Sequence, residues 1–358
     1  MAKLTEIAWE NFEALPLEEK RHYLVRSAGD SMPYHTLFAQ QFDRALLDRL
    51  VALSNRIRFI AKSREGSLFL KSSLPHKRAM LYFSQPSSRT FLSHLAACQI
   101  LGLTTGSVRD AATSSEFKGE SREDSIRTFS SYFDMIIMRS PEQGLAEKMA
   151  WELSNSDRPV PILNAGSGKD QHPTQALLDI YTLVRSFETK GGLDGRTVTF
   201  CGDLLRGRTV RSLSYLLTNF SDVRQIFVAP KELQVPPDVT EILEKKGVRF
   251  DVTDDLRAAT GVSDAIYMTR IQDEWDSSSG ESARIDTSRF KFGAEELKCL
   301  GPDGIIMHPL PRRDEIATCC DRDPRAMYWR QMRNGMWIRA ALIAATFGLE
   351  DRILDCGY

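Results

Sequence analysis

The chain has 358 residues, 42% hydrophobic and 27% charged, with 47 basic residues against 48 acidic ones. That balance excludes a general nucleic-acid binder but not a local basic cleft, and the length points to two globular domains. No apolar run approaches the ~20 residues needed to span a membrane. Six cysteines (98, 201, 299, 319, 320 and 356) without metal-type spacing read as reduced thiols and point to the cytoplasm.

In chain order, residues 1–35 form an amphipathic, charge-rich extension with an early acidic residue and no continuous apolar core, unlike a signal peptide. Helical spacing over 40–62 is followed by a polar connector over 63–77. Apolar strand candidates then alternate with helical patterns. The strands are expected at 79–83, 105–109, 134–138, 158–163, 196–201, 224–229, 247–252, 264–268 and 304–307. Near-continuous apolar strands separated by helices are the mark of parallel sheets covered on both faces, and nine strands suggest two sheets. The fold class is therefore α/β, in two domains, each a parallel sheet flanked by helices, with the active site expected in the interdomain cleft. The break falls near 188–196, where Thr-Lys-Gly-Gly-Leu-Asp-Gly follows a strong helix at 173–187. The organisation expected is an extension (1–35), a first domain (36–188), a second domain (189–332) and a C-terminal helix (333–358) packing back on the first.

Polar clusters follow the strands one after another. Ser87-Ser88-Arg89-Thr90 lies on a turn from strand into helix, where unpaired backbone N–H groups and a helix dipole favour an anion. Hydroxyls and a guanidinium fork add donors suited to phosphate. Arg139, then His172-Pro-Thr-Gln175, Arg206-Gly-Arg208-Thr209, Arg270-Ile-Gln272 and His308-Pro-Leu-Pro-Arg312 follow later strands. Ligands of open α/β sheets bind outside the carboxyl ends of the strands, so these clusters suggest one anionic-ligand site. Gly166-Ser-Gly-Lys169 hints at a P-loop, but Asn164 and Asp170 break the pattern. Cys201-Gly-Asp-Leu-Leu-Arg-Gly is not a dinucleotide fingerprint, and no G-x-S-x-G elbow occurs.

Together, Ser87-Ser-Arg-Thr, Lys118-Gly-Glu-Ser, His172-Pro-Thr-Gln, Gly207-Arg-Thr, Thr269-Arg-Ile-Gln and His308-Pro-Leu-Pro-Arg resemble the carbamoyltransferases over about residues 40–348, in the family's order. Within them, His308-Pro-Leu-Pro and Arg270-x-Gln272 are similar to the branch that acts on aspartate. The resemblance implies carbamoyl transfer from carbamoyl phosphate to L-aspartate, an early step of de novo pyrimidine biosynthesis. The alternatives are a carbamoyltransferase for another amine and a non-catalytic structural relative.

By the same resemblance, Ser87, Ser88, Arg89, Thr90 and Arg139 hold the phosphate. Thr90, Arg139 and His172 face the carbamoyl oxygen, and Gln175 with the carbonyls of Pro309 and Leu310 holds the carbamoyl NH2. Arg208, Arg270 and Gln272 bind the two carboxylates of aspartate. Ser114 and Lys118 lie on a loop lent to the neighbouring chain of a homotrimer, Lys118 serving both substrates. The catalytic set is thus Arg89, Thr90, Lys118, Arg139 and His172. No metal or organic cofactor, nucleic acid or membrane is expected as partner, and a regulatory or pathway-enzyme subunit is left open. The loop also reads as a capping box at Ser121 and Asp124. The chain departs from the family at Gln85, Phe117 and Trp275, where Glu, Lys and Arg are usual, and at Ser88, where Thr is usual.

Overall fold

The computed structural model describes residues 4–26, 32–109, 118–168, 171–273, 276 and 282–358. Phe117 and Trp275 lie outside the described residues. One compact unit takes in the chain up to Leu177 and again from Gly335 to Tyr358, and the other is Leu178–Asn334. Among the described residues no helix is long and apolar enough to cross a membrane.

The first unit contains a parallel sheet of β1 (Arg78–Phe83), β2 (Thr104–Val108), β3 (Met135–Ser140) and β4 (Ile162–Ser167), in the order β2-β1-β3-β4. β1, β3 and β4 are almost wholly buried, which is why their sequences run apolar without alternation. Successive connections leave β1 towards β2 and then cross to β3 on its other side. The reversal opens a crevice at the carboxyl ends of β1 and β3.

The second unit contains β5 (Thr197–Cys201), β6 (Arg224–Val228), β7 (Phe250–Thr253), β8 (Ala265–Met268) and β9 (Ile305–Met307), all parallel, in the order β7-β6-β5-β8-β9. Its reversal lies between β5 and β8. Phe200 pairs in register with both Phe227 and Tyr267; its buried ring stacks on Phe227 with centroids 5.4 Å apart and meets the tilted Tyr267 ring at 5.7 Å.

Several expected boundaries move. The strand expected at 158–163 is β4 at Ile162–Ser167. Pro159 and Pro161 have no N–H to give a ladder, and the strand instead continues through Asn164. That side chain is satisfied by donating to the Leu37 carbonyl and accepting from the Gly166 N–H, both at 2.8 Å. Arg139, expected just after its strand, lies within β3. The connector expected at 63–77 contains the helix Arg64–Lys71, capped by Ser63, which accepts from the Gly66 N–H. The strand expected at 247–252 begins at Phe250, and the expected C-terminal helix is two, Tyr328–Thr346 and the short Glu350–Leu354.

The N-terminal segment is part of the first core. Leu4, Phe12 and Leu24 are buried with Met149 and Leu153 of the helix Leu145–Ser154. The Trp151 indole donates to the Ile7 carbonyl at 2.8 Å, and the largely buried Lys20 pairs with Glu147 at 2.7 Å. The chain beyond Gly335 also belongs to this unit, with Arg339 donating to the Ser93 hydroxyl and Arg49 paired with Glu350.

Candidate active site

At the first reversal the chain leaves β1 through Pro86 and enters the helix Ser88–Leu101. Ser87 precedes that helix in extended conformation, and its side chain makes no capping bond to it. Ser88 and Arg89 are exposed, Ser87 is half-buried and Thr90 is buried. The Ser84 hydroxyl and the Gln85 N–H both donate to the Arg139 carbonyl at 3.3 Å, which ties the turn after β1 to the end of β3.

Arg139 is only 8% exposed, and its Nη1 donates to the Ala165 carbonyl at 3.2 Å. Gly166, at φ +123°, makes this possible: a Cβ there would come within 2.7 Å of Arg139 Nη1 and 3.5 Å of His172 Cδ2. The P-loop-like glycine is therefore the space into which Arg139 and His172 converge. After β4 the Ser167 N–H donates to the Gln171 carbonyl, and His172 follows directly. The His172 carbonyl then accepts from the N–H groups of Gln175 and Ala176 at the start of the helix Pro173–Phe187. Thus the buried Arg139 and His172 side chains meet at Gly166 within one unit, and Gln175, also buried, follows in the first turn of the next helix.

Lys118 is exposed, ahead of the helix Arg122–Tyr132, where Ser121 caps by accepting from the Asp124 N–H. Among the described residues no hydrogen bond joins Lys118 to the Arg139 group, and Ser114 lies outside the described residues.

At the second reversal, β5 leads through Gly202 and Asp203 to Arg208, the first residue of the helix Arg208–Leu217. Gly202 is required because a Cβ there would meet the Thr269 carbonyl at 2.1 Å. Asp203 is fully buried and accepts from two N–H groups, that of Arg206 and that of Gln272, each at 3.0 Å. The carboxylate thereby joins the loop carrying Arg208 to the loop carrying Arg270 and Gln272. Arg206 reinforces the link, donating to the Gln272 carbonyl at 3.4 Å and to Asp276 at 2.8 Å.

His308, after β9, is completely buried. Its Nδ1 accepts from the Leu310 N–H at 2.7 Å, so the ring proton sits on Nε2, which donates to Glu315 at 2.7 Å. Its own N–H donates to Gln331, which donates to Asp179, and the Tyr267 hydroxyl donates to Asp179 as well. Burial pushes the Glu315 carboxyl up, but the hydrogen bond from His308 and those from backbone N–H donors outweigh it, leaving the group below its usual range. Leu310 is held at φ +54°, a conformation costing a leucine on the order of 1 kcal/mol. The bond to His308 offsets that cost and sets where the Pro309 and Leu310 carbonyls point.

Both halves of the chain match known proteins. Residues 34–185 match the model of the aspartate/ornithine carbamoyltransferase carbamoyl-P binding domain, and 194–346 match that of the Asp/Orn binding domain. The chain belongs to the aspartate/ornithine carbamoyltransferases. Aspartate carbamoyltransferase 1, chloroplastic, of Pisum sativum is 41% identical over 85% of this chain and 76% of its own. The aspartate carbamoyltransferase catalytic subunit of Vibrio cholerae is 39% identical over 87% and 95%. A Trypanosoma cruzi aspartate transcarbamoylase solved with carbamoyl phosphate superposes with a TM-score of 0.78 at 37% identity, covering 86% of this chain and 94% of its own. The catalytic subunit of M. Jannaschii aspartate transcarbamoylase gives 0.74 at 36% identity, covering 89% and 98%.

Within this carbamoyltransferase, three residues with no role assigned from the sequence support the site, although Arg206 lies in one of its polar clusters. Asp203 and Arg206 order the second-unit loops, as above. His94 is the third: fully buried, it donates from Nδ1 to the Thr90 carbonyl at 2.8 Å. Burial, then the nearby Arg339 guanidinium, holds its pKa well below the usual histidine value, so the ring is neutral. The i, i+4 spacing of Thr90 and His94 on a helix is the one sequence signal that marks the pair.

Proposed function

We propose that the chain transfers the carbamoyl group of carbamoyl phosphate to the amino group of L-aspartate, giving N-carbamoyl-L-aspartate and phosphate. The observation that carries this reading is the convergence of Arg139 and His172 on the side-chain-free Gly166, beside a serine-rich helix start. In this reading Ser87, Ser88, Arg89, Thr90 and Arg139 bind the phosphate. Thr90, Arg139 and His172 donate to the carbamoyl oxygen, where negative charge develops as the amine attacks. Gln175 and the Pro309 and Leu310 carbonyls orient the carbamoyl NH2. Arg208, Arg270 and Gln272 take the two carboxylates of aspartate, a task suited to planar forks.

As the N–C bond forms, the C–O bond to phosphate breaks, and the departing phosphate takes the amine proton. Positioning and charge neutralisation supply the catalysis, with no metal or organic cofactor in the scheme. The functional division we assign is 36–188 for carbamoyl phosphate and 189–332 for aspartate, with 1–35 and 333–358 as flanking segments. Ser114 and Lys118 act in the site of a neighbouring chain of a homotrimer, which fits the exposure of Lys118. The compartment in this reading is the cytoplasm, in keeping with six free cysteines. The decisive measurement is carbamoyl-aspartate formation by the purified chain. Activity with aspartate and none with ornithine is expected, because Arg208 and Arg270 repel an ammonium. Equal or faster turnover of ornithine overturns the assignment.

A further inference from the structure

The loop assigned to aspartate contains a carboxylate of its own. Asp273, three residues after Arg270, has Oδ1 only 3.7 Å from Arg270 Nη1. A carboxylate tethered so close is present at high effective concentration and competes with any incoming carboxylate for that guanidinium. Asp273 is nevertheless engaged elsewhere. Arg313 donates both Nη groups to it, at 2.8 and 2.9 Å, in a bidentate fork. Arg313 is itself fixed, since its N–H donates to both Glu315 oxygens at 3.1 and 3.0 Å in the loop that His308 shapes.

We propose that Arg313 is a positioning residue that, by engaging both Asp273 oxygens, limits Asp273 to a 3.7 Å ion pair with Arg270, short of a hydrogen bond, so that an incoming substrate carboxylate can displace it. The inference rests on the assignment of Arg270 to aspartate. Both partners are about half exposed, 53% for Arg313 and 45% for Asp273, so the effect is modest.

The test is steady-state kinetics on the full chain. Arg313→Ala is expected to raise the KM for aspartate roughly three- to fivefold, the size an exposed ion pair allows. The KM for carbamoyl phosphate and kcat should not change. Asp273→Asn alone should leave the aspartate KM at or below the wild-type value, and Asp273→Asn/Arg313→Ala should return it there. If the pair were only a brace between loops, Asp273→Asn would raise the KM as Arg313→Ala does, and the inference would fall. It also falls if Arg313→Ala changes nothing, or if the double variant keeps the raised KM. A wild-type chain that neither carbamoylates nor binds aspartate removes the functional assignment and this inference together. An active wild type with the wrong variant pattern removes this inference alone.

Discussion

Gly166 and Arg139 are in direct apposition: a methyl group at 166 would lie 2.7 Å from the Arg139 Nη1 that donates to the Ala165 carbonyl. The glycine also sits at φ +123°, where an L side chain is strained. Gly166→Ala should therefore displace the Arg139 guanidinium, while His172, 3.5 Å from the added methyl, is only brought into ordinary contact. A misplacement on this scale is expected to lower kcat about a hundredfold, with the aspartate-side contacts untouched. Near-wild-type turnover by the variant would show that Arg139 need not occupy that space during catalysis.

Asp203 offers the complementary experiment in the second unit. Its carboxylate accepts from the N–H groups of Arg206 and Gln272 while fully buried. Asp203→Ala leaves both donors without an acceptor, at a cost of roughly 1–3 kcal/mol. The loops carrying Arg208 and Arg270 should then loosen. The KM for aspartate is expected to rise about five- to a hundredfold on that scale, against little change for carbamoyl phosphate. A parallel rise in both constants would place Asp203 in general folding rather than in the aspartate loops.

His35 should make the first unit acid-sensitive. It is fully buried, accepts at Nδ1 from the Ile162 N–H at 3.1 Å and bonds Ser154 Oγ through Nε2 at 2.9 Å. Burial lowers its pKa to about 3 from the ordinary 6.5. The unfolded chain thus binds a proton below pH 6.5 that the folded chain refuses, so stability is full above 6.5 and falls as the pH drops towards the folded value. Between pH 7 and 5.5 this one group should remove about 1 kcal/mol. In urea titrations His35→Gln should start less stable but lose correspondingly less over that interval. An unchanged pH slope would contradict the assignment.

The proposed sharing of sites between chains predicts complementation. Lys118→Ala and Arg139→Ala should each abolish most activity, because on that proposal one removes a cation lent to the neighbour and the other a cation of the home site. Mixed trimers of the two inactive variants should regain activity, since some interfaces then carry neither lesion. No recovery after demonstrated subunit exchange would mean that each site is built from a single chain.

The elements themselves were legible in the sequence because each rests on local chemistry. Buried parallel strands read as apolar runs, and the start of the Ser88–Leu101 helix was visible in Pro86 and the serine pair. Motif residues such as Arg139, His172, Arg208 and Arg270 could be named because cationic forks and donors that recur after strand ends together mark an anionic ligand. What those residues lean on was not legible. Asp203, His94, Arg313 and the helix Arg64–Lys71 resemble ordinary polar positions until the fold brings distant segments together. β4 was misplaced for the same reason, since its polar half is stable only because Asn164 finds the Leu37 carbonyl 127 residues away. Which chemical groups are present, and on which kind of element each sits, follows from propensity and burial acting over a few residues. Which of them are pinned or neutral follows from the packing of the folded chain. Those properties depend on desolvation and on partners that are near in space and far along the chain.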